Sequence, residues 1–327
     1  MAEVIFVTGG SGFVGAAIIR ALTSAGHRVR ALARSDSSAQ SVAALGAEPV
    51  KGDLDDPASL VAGMRGATVV VHAAASLTSG VRYRDHEKTN VGGTQTMLAS
   101  AREAGVRRFI YISAASIVMN ADQPTQGDEA SLPVQHHRSM PYSATKGRAE
   151  RLVLEANGAA MTTLALRPPF IWGPGAHSIT EIAKAFREGR FTWVGSGALP
   201  YSVCHVDNLA GAVVQAVTRG EGGKAYFVTD DEVTSARRFY TEIVEAVGQP
   251  AKARQVPYAL ATTLARAMEL AFSVFKPGQA PPLTLELVRM MGTRLELSNA
   301  LARRELGYAP TVSREAGLEQ LRALNRR

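Results

Sequence analysis

Cysteine is nearly absent. One thiol, Cys204, in 327 residues excludes an intramolecular disulfide framework and fits a reducing compartment. No uninterrupted apolar stretch is long enough to span a bilayer. The start, Met1 to Val7, has no basic segment leading into an apolar one and runs straight into a strand. No secretory signal is expected, and the expected location is cytoplasmic. Internal repeats and low-complexity linkers are lacking as well. Aromatic residues make up only 6%, and the arginines do not cluster with them. The net charge of +7 therefore argues against nucleic acid and for smaller anions, such as a phosphorylated cofactor or an acidic lipid surface. His72 has no metal-ligand neighbours in the sequence, so no metal is expected.

What is present is an alternation of strand and helix signals. Strands are read at residues 3–8, 27–33, 49–51, 68–73, 108–113 and 161–167. Helices are read at 13–25, 38–45, 59–64, 90–104 and 142–156. This order implies a parallel, doubly wound α/β sheet with helices on both faces. After Pro168-Pro169 the rhythm changes. Residues 168–327 read as a smaller, mostly helical lobe, interleaved so that about 205–230 returns to the sheet formed by 1–167. Such a lobe would close over the sheet's carboxyl edge, where ligands bind in open α/β folds.

Thr8-Gly-Gly-Ser-Gly-Phe-Val-Gly15 lies between the first strand and the first helix. Two glycine registers overlap, Gly9/Gly12/Gly15 and Gly10/Gly12/Gly15. Either permits a tight turn and lets backbone approach a pyrophosphate at a helix N-terminus. The second strand ends at Ala33 with no acidic residue, and Arg34 follows. A guanidinium there can pair with a 2′-phosphate, which favours NADP over NAD, unless a longer loop brings Asp36 into play. Asp53, in Gly52-Asp-Leu-Asp-Asp56, could bond an adenine with Leu54 on its face, while Asp55 or Asp56 caps the helix that begins at Pro57. Val71-His-Ala-Ala-Ala75 ends a strand in small residues, so that Ala73, Ala74 and Ala75 would let a flat cofactor lie against the backbone.

Tyr142 and Lys146 stand four apart in Pro141-Tyr-Ser-Ala-Thr-Lys146. In a helix that spacing puts phenol and ammonium on one face. A nearby cation favours the phenolate and brings the tyrosine proton within reach of neutral pH. Alone the pair is a weak signal. The glycine loop upstream gives it weight.

Together these features resemble the extended short-chain dehydrogenase/reductases. The resemblance rests on Thr8–Gly15, Gly52–Asp56, Val71–Ala75, Asn90-Val-Gly-Gly-Thr94, Tyr142–Lys146, Arg167–Gly175 and His205–Leu209. The branch it looks most like is the 3β-hydroxysteroid and sterol dehydrogenase-like group, whose C-terminal pattern is similar to Leu297–Pro310. The resemblance implies a Rossmann-type sheet and an NAD(P)-dependent alcohol dehydrogenase or ketone reductase. Its substrate would be hydrophobic, of the 3β-hydroxysteroid or 2-alkyl-3-oxoalkanoate type. Tyr142 would exchange the proton, and Lys146 would bind the nicotinamide ribose and depress the phenol pKa. Gly9, Gly12 and Gly15 would hold the pyrophosphate with Phe13 and Val14 beside them. Asn90, Pro168 and Phe170 would also lie near the cofactor. A homodimer through the Asn90 and Tyr142 helices is expected.

The chain departs from the family at one point. The usual substrate-orienting Ser or Thr falls on Ala114 in Tyr111-Ile-Ser-Ala-Ala-Ser-Ile117. In an extended strand residue 116 shares a face with 114 and residue 113 does not. Ser116 is therefore the first candidate and Ser113 the second. Ala115-Ser116 also stands where dehydratases of this fold carry Asp-Glu, which disfavours a nucleotide-sugar epimerase or dehydratase. A non-catalytic cofactor sensor is the remaining rival, and only Ala114 supports it. Asp128-Glu129 and His136-His137 read as a solvated loop, His205 with Asp207 as a polar junction, and Cys204 as a buried filler. Residues 256–275 form an apolar helix. It reads as core or dimer surface, or else as an oily wall for a lipophilic substrate that touches a membrane surface.

Overall fold

The computed structural model describes residues 2–76, 83–119, 124–135, 140–276 and 281–326. His136, His137 and Pro277 lie outside them. Seven parallel strands form the central sheet. The first five in the chain are β1 (Val4–Thr8), β2 (Arg28–Ala33), β3 (Glu48–Lys51), β4 (Val69–His72) and β5 (Arg108–Ile112). The strands Thr162–Arg167 and Ala225–Phe227 complete it. From one edge to the other the order is Ala225–Phe227, Thr162–Arg167, β5, β4, β1, β2, β3. Strand order reverses beside β1, so a crevice opens at the carboxyl ends of β1 and β4. Thr8 and His72, each the last residue of its strand, are register partners there.

Strands β1, β4 and β5 are covered on both faces, which is why they read as apolar runs rather than alternations, whereas the edge strand β3 is largely exposed. Helix α1 (Phe13–Ser24) buries Ala17, Ile18, Ile19 and Leu22 against one face of the sheet. On the other face Met97, Leu98 and Ala101 of the helix Gly93–Glu103 and Ala149 and Val153 of the helix Pro141–Glu155 meet Phe6, Val70 and Phe109. The helix expected from residue 90 opens with a widened π turn, Glu87–Gly92, and becomes regular only from Gly93.

The region beyond Pro168 carries more strand than its sequence signals. Phe170–Trp172 pairs with Val203–His205, and Thr192–Val194 pairs with Arg254–Val256. A four-stranded sheet joins Thr234–Ser235, Pro200–Tyr201, Leu295–Leu297 and Thr125–Gly127. These strands are two or three residues long, too short for a periodic signal. The last pairing draws in the loop ahead of the Tyr142 helix, whose solvated reading holds at exposed Asp128 and fails at Glu129. Asp128 bonds within its own turn to Ser131. Glu129 reaches the central sheet, where its Oε1 accepts the Phe227 N–H at 2.5 Å.

A buried carboxylate joins lobe and sheet. Asp230 accepts from Trp172 Nε1 at 2.8 Å, His205 N–H at 2.8 Å and Asn208 Nδ2 at 2.7 Å. Asn208 in turn binds the backbone of Thr311 and Val312. His205 Nδ1 accepts the Asp207 N–H and caps the next helix, and Cys204 is fully buried. Asp230→Ala would leave three buried donors without an acceptor, at a cost of about 2–4 kcal/mol. Urea unfolding should show that loss, and an unchanged midpoint would remove Asp230 from this role.

Candidate active site

The glycine loop is shaped by contact. Gly9 has φ +74°, and a Cβ there would lie 2.8 Å from Ala74 N. The backbone of the first loop thus rests directly on the backbone after β4. A Cβ at Gly15 would fall 2.1 Å from the Gly9 carbonyl oxygen, so Gly15 serves close packing of α1. Gly12 is the N-cap of α1 and offers no side-chain cap. The first N–H groups of the helix are left for an anion. This set suits a dinucleotide pyrophosphate, with Phe13 and Val14 half-buried in the first turn. Of the two glycine registers, the left-handed conformation selects Gly9/Gly12/Gly15.

At the adenosine end β2 stops at Ala33, and Ser35 caps the helix Asp36–Ala43 after a two-residue turn. Arg34 is exposed there. Asp36 sits past the turn and faces Lys51 at 3.9 Å. Asp53 is half-buried at the end of β3, and Asp56 caps the helix Pro57–Met64. Leu54 was expected on an adenine face. It is instead 9% exposed and packed into the core, where a Cβ on Gly93 would lie 3.2 Å from its Cδ1.

His72, a core or loop-edge histidine on the sequence alone, lies in the core and is the centre of the buried network. Its Nδ1 lies 2.7 Å from Thr8 Oγ1 and its Nε2 3.0 Å from Thr94 Oγ1. Thr94 donates its single proton to the Asn90 carbonyl at 2.6 Å. His72 must therefore donate from Nε2 and accept at Nδ1. Thr8 Oγ1 also accepts the Ala74 N–H, so the chain holds the half-exposed strip Ala73–Ala75. Asn90 continues it. Its Oδ1 accepts the Ser76 N–H at 2.9 Å, and its Nδ2 donates to Thr145 Oγ1 at 3.1 Å. The Asn90 side chain, expected at the cofactor, is buried and ties the crevice to the Tyr142 helix.

That helix presents Tyr142 and Lys146 over the ends of β4 and β5. Lys146 is 1% exposed. Its Nζ donates to the Ile112 carbonyl at 2.5 Å and sits 4.1 Å from the centre of the Tyr111 ring. Burial pulls the ammonium down to about 7, and Glu150 opposes the shift. The Tyr142 ring packs edge-on to His86 at 6.2 Å. Its phenol is pushed up from its ordinary value, by burial first and by the Glu286 charge second. This reverses the expectation that Lys146 depresses it. The lysine is turned onto a carbonyl and a ring face, its charge is weakened, and a carboxylate stands on the other side. Tyr142 is half-buried.

The two serines part company. Residues 115–118 form a 3₁₀ turn rather than an extended strand, so the alternation used to rank them does not apply. Ser116 Oγ bonds to Ser143 Oγ at 2.8 Å. Ser113 Oγ is buried and has no protein partner among the described residues. Phe170 packs edge-on against Phe239 and Tyr240, and Pro168 accepts the Ala115 N–H through its carbonyl. Glu286, which makes the closest polar contacts to the start of the Tyr142 helix, was not foreseen. It lies 143 residues from Ser143, and no local pattern marks it.

Similarity to known proteins gives the family. The model of the 3-beta hydroxysteroid dehydrogenase/isomerase family matches residues 6–258, and the chain belongs to that family. It is an NAD(P)-dependent dehydrogenase/reductase of the extended short-chain type. It is 38% identical to a Stigmatella aurantiaca protein, 4-hydroxy-2-methyl-3-oxo-4-farnesyl-3,4-dihydroquinoline-1-oxide ketoreductase, over 97% of this chain and 95% of the relative. It is 35% identical to 2-alkyl-3-oxoalkanoate reductase of Stenotrophomonas maltophilia, over 98% of both chains. A dTDP-glucose 4,6-dehydratase of Streptomyces venezuelae, solved with NAD bound, shares the fold with a TM-score of 0.74 at 22% identity, over 98% of this chain and 96% of that one.

Burial holds His72 neutral down to about pH 3, with the Lys146 charge adding to the effect. An unfolded histidine takes up its proton near pH 6.5, so acid favours the unfolded chain. Stability should fall as pH drops from about 6.5, by up to roughly 1.4 kcal/mol per unit. In His72→Gln this part of the slope should vanish, while stability at neutral pH falls by about 1–3 kcal/mol. Chemical unfolding of both proteins from pH 7.5 to 4.5 measures it. Parallel slopes would contradict a neutral, buried His72.

Proposed function

We propose that this enzyme reduces a ketone to a secondary alcohol on a lipophilic substrate, with NADP(H) preferred over NAD(H) and Tyr142 as the proton carrier. One observation carries the reading. A phenol and a buried ammonium share a helix face over the ends of β4 and β5, tied by hydrogen bonds to a glycine loop shaped for a pyrophosphate. When bound, the nicotinamide supplies or accepts the hydride. Tyr142 gives its proton to the substrate oxygen in reduction and takes it back in oxidation. Lys146 would hold the ribose hydroxyls, and the Ala73–Ala75 strip would support the cofactor from beneath.

The substrate class draws on two supports. The names of both relatives specify reduction of a ketone that bears an alkyl or farnesyl group. The helix Tyr258–Phe275 buries only Ala261 and Ala265 and exposes Leu260, Leu264, Leu270, Val274 and Phe275. Within one chain the helix packs through Ala261 and Ala265 onto Val194 and Val288 and leaves the rest of its apolar surface uncovered. We read residues 168–327 as the substrate lobe and this apolar surface as its entrance. No helix among the described residues is long and apolar enough to cross a membrane.

Tyr142→Phe should lower kcat by roughly 10²–10⁴ and leave NADPH affinity within about twofold. NADPH absorbance with a panel of lipophilic ketones reads the first, and fluorescence titration the second. Turnover at the unaltered rate would remove Tyr142 from the proton step. For cofactor choice, Arg34→Ala should shift the ratio of NADP to NAD dissociation constants by about tenfold or more toward NAD. An unchanged ratio would place 2′-phosphate recognition elsewhere.

A further inference from the structure

The helix that carries Tyr142 and Lys146 starts without a cap of its own. Met140 stands at the N-cap with no capping bond, and Pro141 follows. The missing acceptor comes from the lobe. Glu286, in the first turn of the helix Leu285–Gly292, accepts the Ser143 N–H at 3.3 Å through Oε1. The same oxygen lies 2.7 Å from Ser143 Oγ, and Ser143 Oγ lies 2.8 Å from Ser116 Oγ. Carboxylate, hydroxyl and hydroxyl form a line that ends on Ser116, one of the two serines read as a partner of the substrate oxygen.

Proton counting gives the line two states. A hydroxyl has one proton, and an ionised carboxylate only accepts. With Glu286 ionised, Ser143 donates to it, the stronger charge-assisted bond. Ser116 must then donate to Ser143 and turns only lone pairs to the substrate. With Glu286 protonated the line reverses. Glu286 donates to Ser143, Ser143 to Ser116, and the Ser116 proton is free for a carbonyl or alkoxide oxygen.

We propose that Glu286 is a positioning residue that sets, through Ser143, whether the Ser116 hydroxyl donates to the substrate oxygen. This rests on the reading of Tyr142 and Ser116 as the partners of that oxygen. Several groups act on the carboxylate. Glu269 of the Tyr258–Phe275 helix repels it, and Tyr142 faces it with His86 behind. Arg289 follows one turn along its own helix. Burial raises the Glu286 pKa, and the Ser143 bonds oppose the shift. The reversal therefore falls above the ordinary carboxyl range.

The test uses the full chain with NADPH and 2-decanone between pH 5 and 8.5. In the unaltered protein kcat should fall on the order of tenfold as Glu286 ionises, with little change in the NADPH KM. Ser116→Ala should be slower by up to roughly 10²-fold and insensitive to that ionisation. Glu286→Gln carries an amide that donates to Ser143 at every pH. Its profile should be flat, and its kcat should exceed that of the unaltered protein at the alkaline end. If Glu286 were only a cap, Glu286→Gln would run parallel to the unaltered protein, and that result overturns the proposal. Thermal midpoints against pH decide the coupling without turnover. The ionisation that Glu286→Gln removes should move to higher pH in Ser116→Ala, because the far hydroxyl no longer supports the carboxylate. A limb that stays in place overturns the relay whatever the activity. Absence of turnover with a limb that does move removes the redox reading and retains the relay.

Discussion

The hydrogen-bond chain through His72 is the constraint on which the site depends. It runs from Thr8 at the end of β1 to His72 at the end of β4, then through Thr94 and Asn90 to Thr145, beside Lys146. These groups are buried, and a buried polar group without a partner is costly. The chain can be satisfied in one way, because the proton of Thr94 is already committed to the Asn90 carbonyl. The spacing between the glycine loop and the catalytic helix is thereby set by a directional interaction. Apolar packing alone is non-directional and would tolerate sliding between helix and sheet.

A second fixed point holds the other end of the same helix. Glu150, one turn beyond Lys146, pairs with Arg167 at 2.6 Å, and the two are 1% and 7% exposed. Arg167 is the last residue of its strand, directly before Pro168. The pair orients the chain as it leaves the sheet for the lobe. Its net contribution to stability is small once desolvation is counted, and the geometric restraint is the larger effect. Glu150 also offsets part of the desolvation that pulls Lys146 down. The ammonium thus stays near its titration range without direct contact with another charge.

The fold was legible in the sequence because its signals are local and long. The seven central strands and the helices between them follow from apolar runs bounded by Gly and Pro. The glycine loop announced a tight turn between strand and helix, while the choice of Gly9 over Gly10 needed the backbone conformation. The lobe was read less well, since strands of two or three residues leave no period to detect. Tyr142, Lys146 and Arg34 could be placed by spacing and by strand ends. Their electrostatics could not. The direction of the tyrosine shift depends on burial first and then on Glu286, which arrives from another part of the chain. His72 was undervalued for the same reason, as both its partners are distant in sequence. The ranking of Ser116 over Ser113 assumed an extended backbone, and the 3₁₀ turn withdraws that ground.

These contrasts divide the site into two parts with different physics. The cofactor side is built from strand ends and helix starts of a single sheet. Its contacts are backbone approach, small side chains and buried hydrogen bonds, so it is set once the sheet folds. The substrate side is assembled across the boundary at Pro168. Ser143 and Ser116 belong to the sheet's own helix and turn, whereas Glu286 and the exposed apolar helix belong to the lobe. Local opening draws on the least buried parts of a structure, and the Tyr258–Phe275 helix buries two of its eighteen residues. Any shift of the lobe therefore moves a carboxylate relative to the phenol and the serine line, while the pyrophosphate cradle stays in place. On the proposed reading, substrate fit and proton supply are coupled through that one side chain, and the nucleotide end is insulated from it.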